Sequence, residues 1–157
     1  MSNQKIPDKA GVIIFPPLLY LITLALGITV SYFFPYKLLQ SYLAVPIGMV
    51  VLIVGIVFLI LSARTLIKNK TTVNPDGAST TIVKEGIFLF TRNPMYFSLT
   101  LIYIGTSIML NAWASFFLII PLLIIVQKGI IEREEKYLTR KFGDEYLSYK
   151  SKVSRWL

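Results

Sequence analysis

Three stretches of this chain carry no charge: Ala10 to Tyr36, Leu38 to Ala63 and Asn93 to Gln127, which are 27, 26 and 35 residues long. About 20 apolar residues in a helix cross the hydrocarbon core of a bilayer, so each stretch is long enough to span one. Inside lipid the backbone must satisfy its own hydrogen bonds, which favours helix for such runs. Composition agrees: 55% of the 157 residues are apolar and 15% are charged, where a soluble domain carries about 25% charge. These features exclude a soluble globular enzyme, a disordered tail and a nucleic-acid module, in spite of a formal net charge of +8. Neither cysteine nor histidine occurs, which excludes disulfides, thiol nucleophiles and the commonest metal ligands. No metal is expected. Any chemistry must use carboxylates, Arg, Lys, Tyr, hydroxyls, backbone groups or a borrowed cofactor.

The first run follows Lys5 and Lys9 and reads as a span over about 11–34. Pro16 and Pro17 impose either a kink or a late start. The run is too long for the core of a signal peptide, and no small-x-small cleavage site closes it. A short connector, Pro35 to Gln40, leads to a second helix over 42–66 and predicts an antiparallel hairpin. As one helix, the third run would reach about 52 Å at 1.5 Å per residue. Asn111-Ala112-Trp113 interrupts it with a turn residue and an interfacial aromatic, giving spans over 96–110 and 115–131. The expected fold is an all-α integral membrane protein. It is one domain over 1–157, with four transmembrane helices in two hairpins, a loop over 68–95 and an amphipathic helix over 132–153. Four spans place both termini on one side, together with every basic residue except Lys37. The positive-inside rule makes that side cytoplasmic. Small size and lack of cysteine point to a prokaryotic plasma membrane; a eukaryotic chain of this kind would sit in the endoplasmic reticulum.

Two cytoplasmic stretches are candidates for chemistry. In the first, Asn74-Pro75-Asp76-Gly77 is a turn signal, Gly86 breaks the chain again, and Arg92-Asn93-Pro94 leads into the third span. Without a function, Arg92 is a snorkelling side chain at the membrane edge, Asn93 a helix cap and Tyr96 an interface anchor. In the second, Ile131, Leu138, Phe142, Tyr146, Tyr149 and Val153 share one helical face, with Gly143 as a brief break. Glu135 interrupts that face, with Glu134 beside it, and a carboxylate at a membrane-facing edge marks a functional site by default. Helix pairing offers a plainer account: Glu132 with Lys136, and Glu135 with Thr139 or Arg140. We assign that account to Glu132, and a site role to Glu134 and Glu135 facing Arg92 and Tyr96.

Gly86, the RNPMY run Arg92–Tyr96, a short helical hairpin, then Glu134-Glu135, Leu138, Phe142-Gly143, Tyr146 and Tyr149 together resemble the isoprenylcysteine carboxyl methyltransferase family. The pattern is also similar to the related phospholipid N-methyltransferases, whose motif reads NPMY. The match runs from about Thr80 to Trp156, and the first hairpin matches only as hydrophobic spans. The resemblance implies S-adenosylmethionine as methyl donor and a lipidic or prenylated acceptor that arrives from the bilayer. Thr80, Thr81, Ile82 and Val83 match the first cofactor-contacting stretch, Phe88 stands where a Tyr makes a contact, and Asn93, Pro94, Met95 and Tyr96 match the second stretch. Glu134 matches the acidic residue that grips the cofactor, with Glu135 as its partner. Glu134, Arg92 and Tyr96 are the candidate catalytic residues. Isoprenylcysteine enzymes hold the substrate carboxylate with an Arg four residues before that Glu. Here the position is Ile130, so Ile130 and the nearby Arg133 mark the expected acceptor-binding region. Membrane lipids are the expected partners, and nucleic acid is not. Two rival classes are an NADPH-dependent membrane reductase of the sterol-reductase type and a non-catalytic four-span interaction protein.

Overall fold

The computed structural model describes residues 10–74 and 77–156. Lys5 and Lys9 lie outside these residues, as do Pro75 and Asp76 of the expected turn. The ends of that turn are joined by the Gly77 amide, which donates to the Asn74 carbonyl at 2.9 Å. Regular structure among the described residues is helical. The order is α1 (Pro16–Phe33), α2 (Ser41–Lys68), a 3-10 turn (Gly86–Leu89), α3 (Pro94–Met109), α4 (Trp113–Val126), a π turn (Gln127–Ile131), α5 (Glu132–Phe142) and α6 (Asp144–Lys152). Three helices are long and apolar enough to cross a membrane: α1, α2 and the continuous Trp113–Phe142; α3 is apolar but shorter.

The boundaries follow from local chemistry. Proline has no amide hydrogen to lose in a first helical turn. The Pro16-Pro17 pair therefore starts α1 late, five residues beyond the expected Gly11, and does not kink it. Pro94 starts α3 in the same way. Asn111 has a φ of 53°, a left-handed conformation that Asn tolerates, and it ends the third run's first half as expected. Its side chain accepts the Leu38 and Leu39 amides at 2.8 and 3.1 Å and donates to the Leu39 carbonyl at 2.9 Å. The Trp113 indole donates to the Phe34 carbonyl at 2.7 Å, so the two turns at this end of the bundle are tied together. The fourth helix does not stop at Ile131. It passes through the π turn into α5 and breaks only at Gly143, where φ is 53°.

The packing partners differ from the expected hairpins. α2 lies along α3 and α1 along α4, while α3 also touches α1 and α4. Lipid gives helices no hydrophobic drive to associate, so close backbone approach at small residues decides the pairing. The buried residues of α2 are Ala44, Gly48, Gly55 and Ser62, one stripe of small side chains facing α3. On α1, a Cβ at Gly27 would lie 2.4 Å from the Cα of Ser115 in α4. Sequence neighbours α1 and α2 are thus seated on different helices, and residues from both reach the same end of the bundle.

Candidate functional site

Where the charged ends of the helices meet, a cavity of about 230 Å³ opens among α1, α2, the 68–95 loop, α3, α5 and α6. Phe15, Pro16 and Pro17 wall it from the start of α1, and Leu66 from the end of α2. The loop is held in place by tyrosines of the last two helices. The Tyr149 hydroxyl donates to the Phe88 carbonyl at 2.6 Å, and the Ser79 amide donates to the Tyr137 hydroxyl at 3.1 Å. Of the residues singled out from sequence, Thr81, Ile82, Val83, Phe88, Arg92, Asn93, Pro94, Met95, Tyr96, Glu134 and Glu135 all line this cavity.

Three do not. Thr80 is exposed; its hydroxyl donates to the Lys70 carbonyl at 3.0 Å and its amide to Thr71 Oγ1 at 3.2 Å. Ile130 is fully buried in the helical core. Arg133 is exposed, donates from Nη1 to the Gly11 carbonyl at 3.1 Å, and lines a separate groove with Lys136 and Arg140. Neither Ile130 nor Arg133 lines the cavity: Ile130, in the π turn, is packed in the core, and Arg133 faces outward.

The two adjacent glutamates differ in environment. Glu134 is hydrogen-bonded to the Tyr96 hydroxyl. Burial pushes its carboxyl up to about 8; the Tyr96 hydrogen bond opposes this and the charge of Glu135 adds to it. Glu135 is buried, at 5% exposure, but it is surrounded by cations. Arg155 donates from Nε to Oε1 and from Nη2 to Oε2, both at 2.9 Å. Lys150 Nζ is 3.3 Å from Oε2 and Arg92 Nη1 is 3.2 Å from Oε1. Burial alone would raise the Glu135 carboxyl, but the Arg155 hydrogen bonds and the Arg92 and Arg155 charges hold it below its usual range. The helix pairings expected for these acids give way to tertiary ones. Glu132 lies 3.9 Å from Arg155, and the Thr139 hydroxyl donates to the backbone carbonyl of Glu135, not to its side chain.

Arg92 is turned inward, with its side chain 8% exposed, which replaces the snorkelling reading. Tyr146 is hydrogen-bonded to it, yet its Nε and Nη1 are buried without a hydrogen-bond partner. An unsatisfied buried donor costs about 1–3 kcal/mol, more when charged; Nη1 is compensated in charge by Glu135 Oε1 at 3.2 Å, so Nε is the donor with neither a hydrogen bond nor an ion pair among the described residues. Asn93 stands at the N-cap position of α3, as expected, and its carbonyl accepts the Phe97 amide at 3.0 Å, but its side chain makes no capping hydrogen bond. Its side-chain amide donates to the Arg155 carbonyl at 2.9 Å. Tyr96 is buried in the helical core. Sequence reasoning missed Thr91, Lys150 and Arg155. Arg155 follows the last helix with no partner at helical spacing, so nothing in the pattern draws attention to it.

The cavity thus presents, among the described residues, a carboxylate without an ion pair at Glu134, a guanidinium at Arg92 whose Nε and Nη1 make no hydrogen bond, and apolar walls. That set suits a ligand that carries a cationic and an anionic group close together.

A family model described as phospholipid methyltransferase matches residues 43–145, from the start of α2 to the start of α6. A protein of Haemophilus influenzae, described as uncharacterized, is 43% identical over 63 residues, covering 40% of this chain and the whole of that relative. No solved structure matches the chain.

Proposed function

Because the chain belongs to the phospholipid methyltransferase family, we propose that it is an integral-membrane enzyme transferring a methyl group from S-adenosylmethionine to a lipidic acceptor. The observation that carries this reading is the meeting of Glu134, Tyr96 and Arg92 at one cavity, lined also by Thr81–Val83 and Asn93–Met95. The donor set fits the cofactor. A sulfonium cation with an ammonium and a carboxylate needs one uncompensated carboxylate and one anion-binding group, and Glu134 and the unfilled donors of Arg92 supply them. Glu134 would hold the cationic end, Arg92 the carboxylate, and Phe88 and Met95 the apolar body. S-adenosylmethionine, when bound, supplies an electrophilic methyl group.

Methyl transfer needs alignment and exclusion of water more than a strong base. The loop held by Tyr137 and Tyr149, with Val83 and Phe88 buried beneath it, provides the exclusion. The acceptor enters laterally from the bilayer, between the start of α1 at Phe15 and Pro17 and the end of α2 at Leu66. With Ile130 in the core and Arg133 turned away, the described residues offer no spare cation at the site for an acceptor carboxylate. We therefore favour the amine of a phospholipid headgroup over an isoprenylcysteine carboxylate. In this reading α1, α2, α3 and α4 with its π turn are four spans of one domain. Both termini and the site face the cytoplasm, in keeping with the basic residues gathered there.

Titration of the purified chain in detergent with S-adenosylhomocysteine and with NADPH tests the donor. The reading expects the first to bind, and to be lost in Glu134→Gln. Binding of NADPH alone, or binding indifferent to that substitution, would refute it. Incubating membranes with methyl-labelled donor tests the acceptor, since a base-labile label marks an ester and a stable one an amine.

A further inference from the structure

After α6 ends at Lys152, the chain turns back across the site as a short strap. Its Ser154 carbonyl accepts the Arg92 amide at 2.9 Å. Its Arg155 carbonyl accepts the Thr91 hydroxyl at 3.1 Å and the Asn93 side-chain amide at 2.9 Å. The Trp156 indole donates to Gln127 in the π turn at 3.3 Å, and the Arg155 guanidinium takes both oxygens of Glu135. Three consecutive residues thus fasten the approach to α3, the π turn and one of the two glutamates. All three lie outside the residues 43–145 that the family model matches.

We propose that Arg155 is a positioning residue: by engaging Glu135 with a two-pronged hydrogen bond, it holds that carboxylate in place and reserves its neighbour Glu134 for the bound ligand. The argument is one of competition. Arg92 and Arg155 both reach Glu135, but Arg155 aligns with both carboxylate oxygens, the geometry in which a planar guanidinium binds best. Arg92 Nη1 stands at 3.2 Å from the same carboxylate without forming a hydrogen bond. Without Arg155, Arg92 and Lys150 would be the cations left on Glu135 among the described residues, and Arg92 would turn further towards it. With less positive charge on Glu135, the neighbouring carboxylates would repel one another more strongly. The charged and titratable groups around the pair are Arg92 and Tyr96 at the start of α3, Tyr146 and Lys150 on α6, Glu132 on α5, and Arg155 itself.

The inference rests on the methyltransferase reading and is tested on the full chain in detergent. S-adenosylhomocysteine is titrated from pH 6 to 9 against wild type, Arg155→Gln and Arg155→Lys. Arg155→Gln should bind about tenfold more weakly, and its pH midpoint should rise by about one unit, because a neighbour less fully compensated keeps Glu134 protonated to higher pH. Arg155→Lys restores the charge but not the fork, so the midpoint should return while the affinity stays reduced. It also carries the test if the Gln variant does not fold. Variants that bind as wild type does, or that lose affinity with an unmoved midpoint in Arg155→Gln, overturn the positioning role and leave the methyltransferase reading intact. A wild-type chain that binds no S-adenosylhomocysteine overturns both.

Discussion

The hydroxyl of Tyr96, in the first turn of α3, is hydrogen-bonded to the carboxylate of Glu134 in the first turn of α5. Burial keeps that carboxyl protonated up to about pH 8, so a ligand whose cation needs the charged form must bind in a pH-dependent way. Affinity for S-adenosylhomocysteine should rise about tenfold per pH unit up to pH 8 and then level. Glu134→Gln should remove both the affinity and the slope. Calorimetric titration at half-unit steps from pH 6 to 9 measures it, and a flat wild-type profile would show that Glu134 does not meet the cation.

Tyr96→Phe isolates the hydrogen bond. A hydrogen bond to a charged group contributes about 1.5–3 kcal/mol, equivalent to about one to two pH units on the carboxyl. With the hydroxyl gone, Glu134 should titrate at least one unit higher. Binding at pH 7 should weaken about tenfold and recover towards wild type at pH 9. A loss of the same size at every pH would mean that Tyr96 acts through packing alone.

Much of this site was legible in the sequence because its parts carry local signals. Pro94 after Asn93 announces a helix start, Gly143 a break, and Glu135 stands out against an apolar helical face. Side-chain partnerships between distant segments leave no such mark. Asn93 has the composition of a cap yet bonds the strap at Arg155, and Arg92 has the composition of a snorkelling residue yet is buried beside Tyr146. Helix pairing was hidden for a related reason. A short connector between α1 and α2 suggests that they pack together, but the small residues of α2 match α3, and Gly27 of α1 matches Ser115 of α4. Ile130 lies in the core, within a π turn that residue counting does not reveal.

Gly48 and Gly105 face one another across the α2–α3 contact. A Cβ on Gly48 would lie 2.6 Å from the Gly105 carbonyl oxygen, and one on Gly105 would lie 2.8 Å from the Gly48 carbonyl oxygen. The obstructing atoms are backbone, so the helices themselves must move apart. Gly105→Leu should destabilise the fold by about 1–3 kcal/mol or more. It should also weaken S-adenosylhomocysteine binding, since α3 carries Pro94 and Tyr96 into the cavity. Melting in detergent read alongside binding would show whether the two losses move together; an unchanged melting temperature would refute the contact.

The contrast between Glu134 and Glu135 predicts opposite stability effects from the same chemical change. The Glu134 carboxyl is raised from an unfolded value near 4.5 to about 8. The folded chain therefore holds a proton that the unfolded chain releases, and stability falls as pH rises between those values. Removing the charge should accordingly matter little at acid pH and help at alkaline pH. Glu134→Gln should melt close to wild type at pH 5 and clearly above it at pH 9. The Glu135 carboxyl is lowered, so its contribution is present above the unfolded value and is lost as pH falls through the folded one. Glu135→Gln would leave Arg92 buried without a counter-charge, a change that costs about 3–5 kcal/mol where a buried pair is broken. It should melt well below wild type at neutral pH and above. If the two variants melt alike across that range, the division of labour between the adjacent glutamates is wrong.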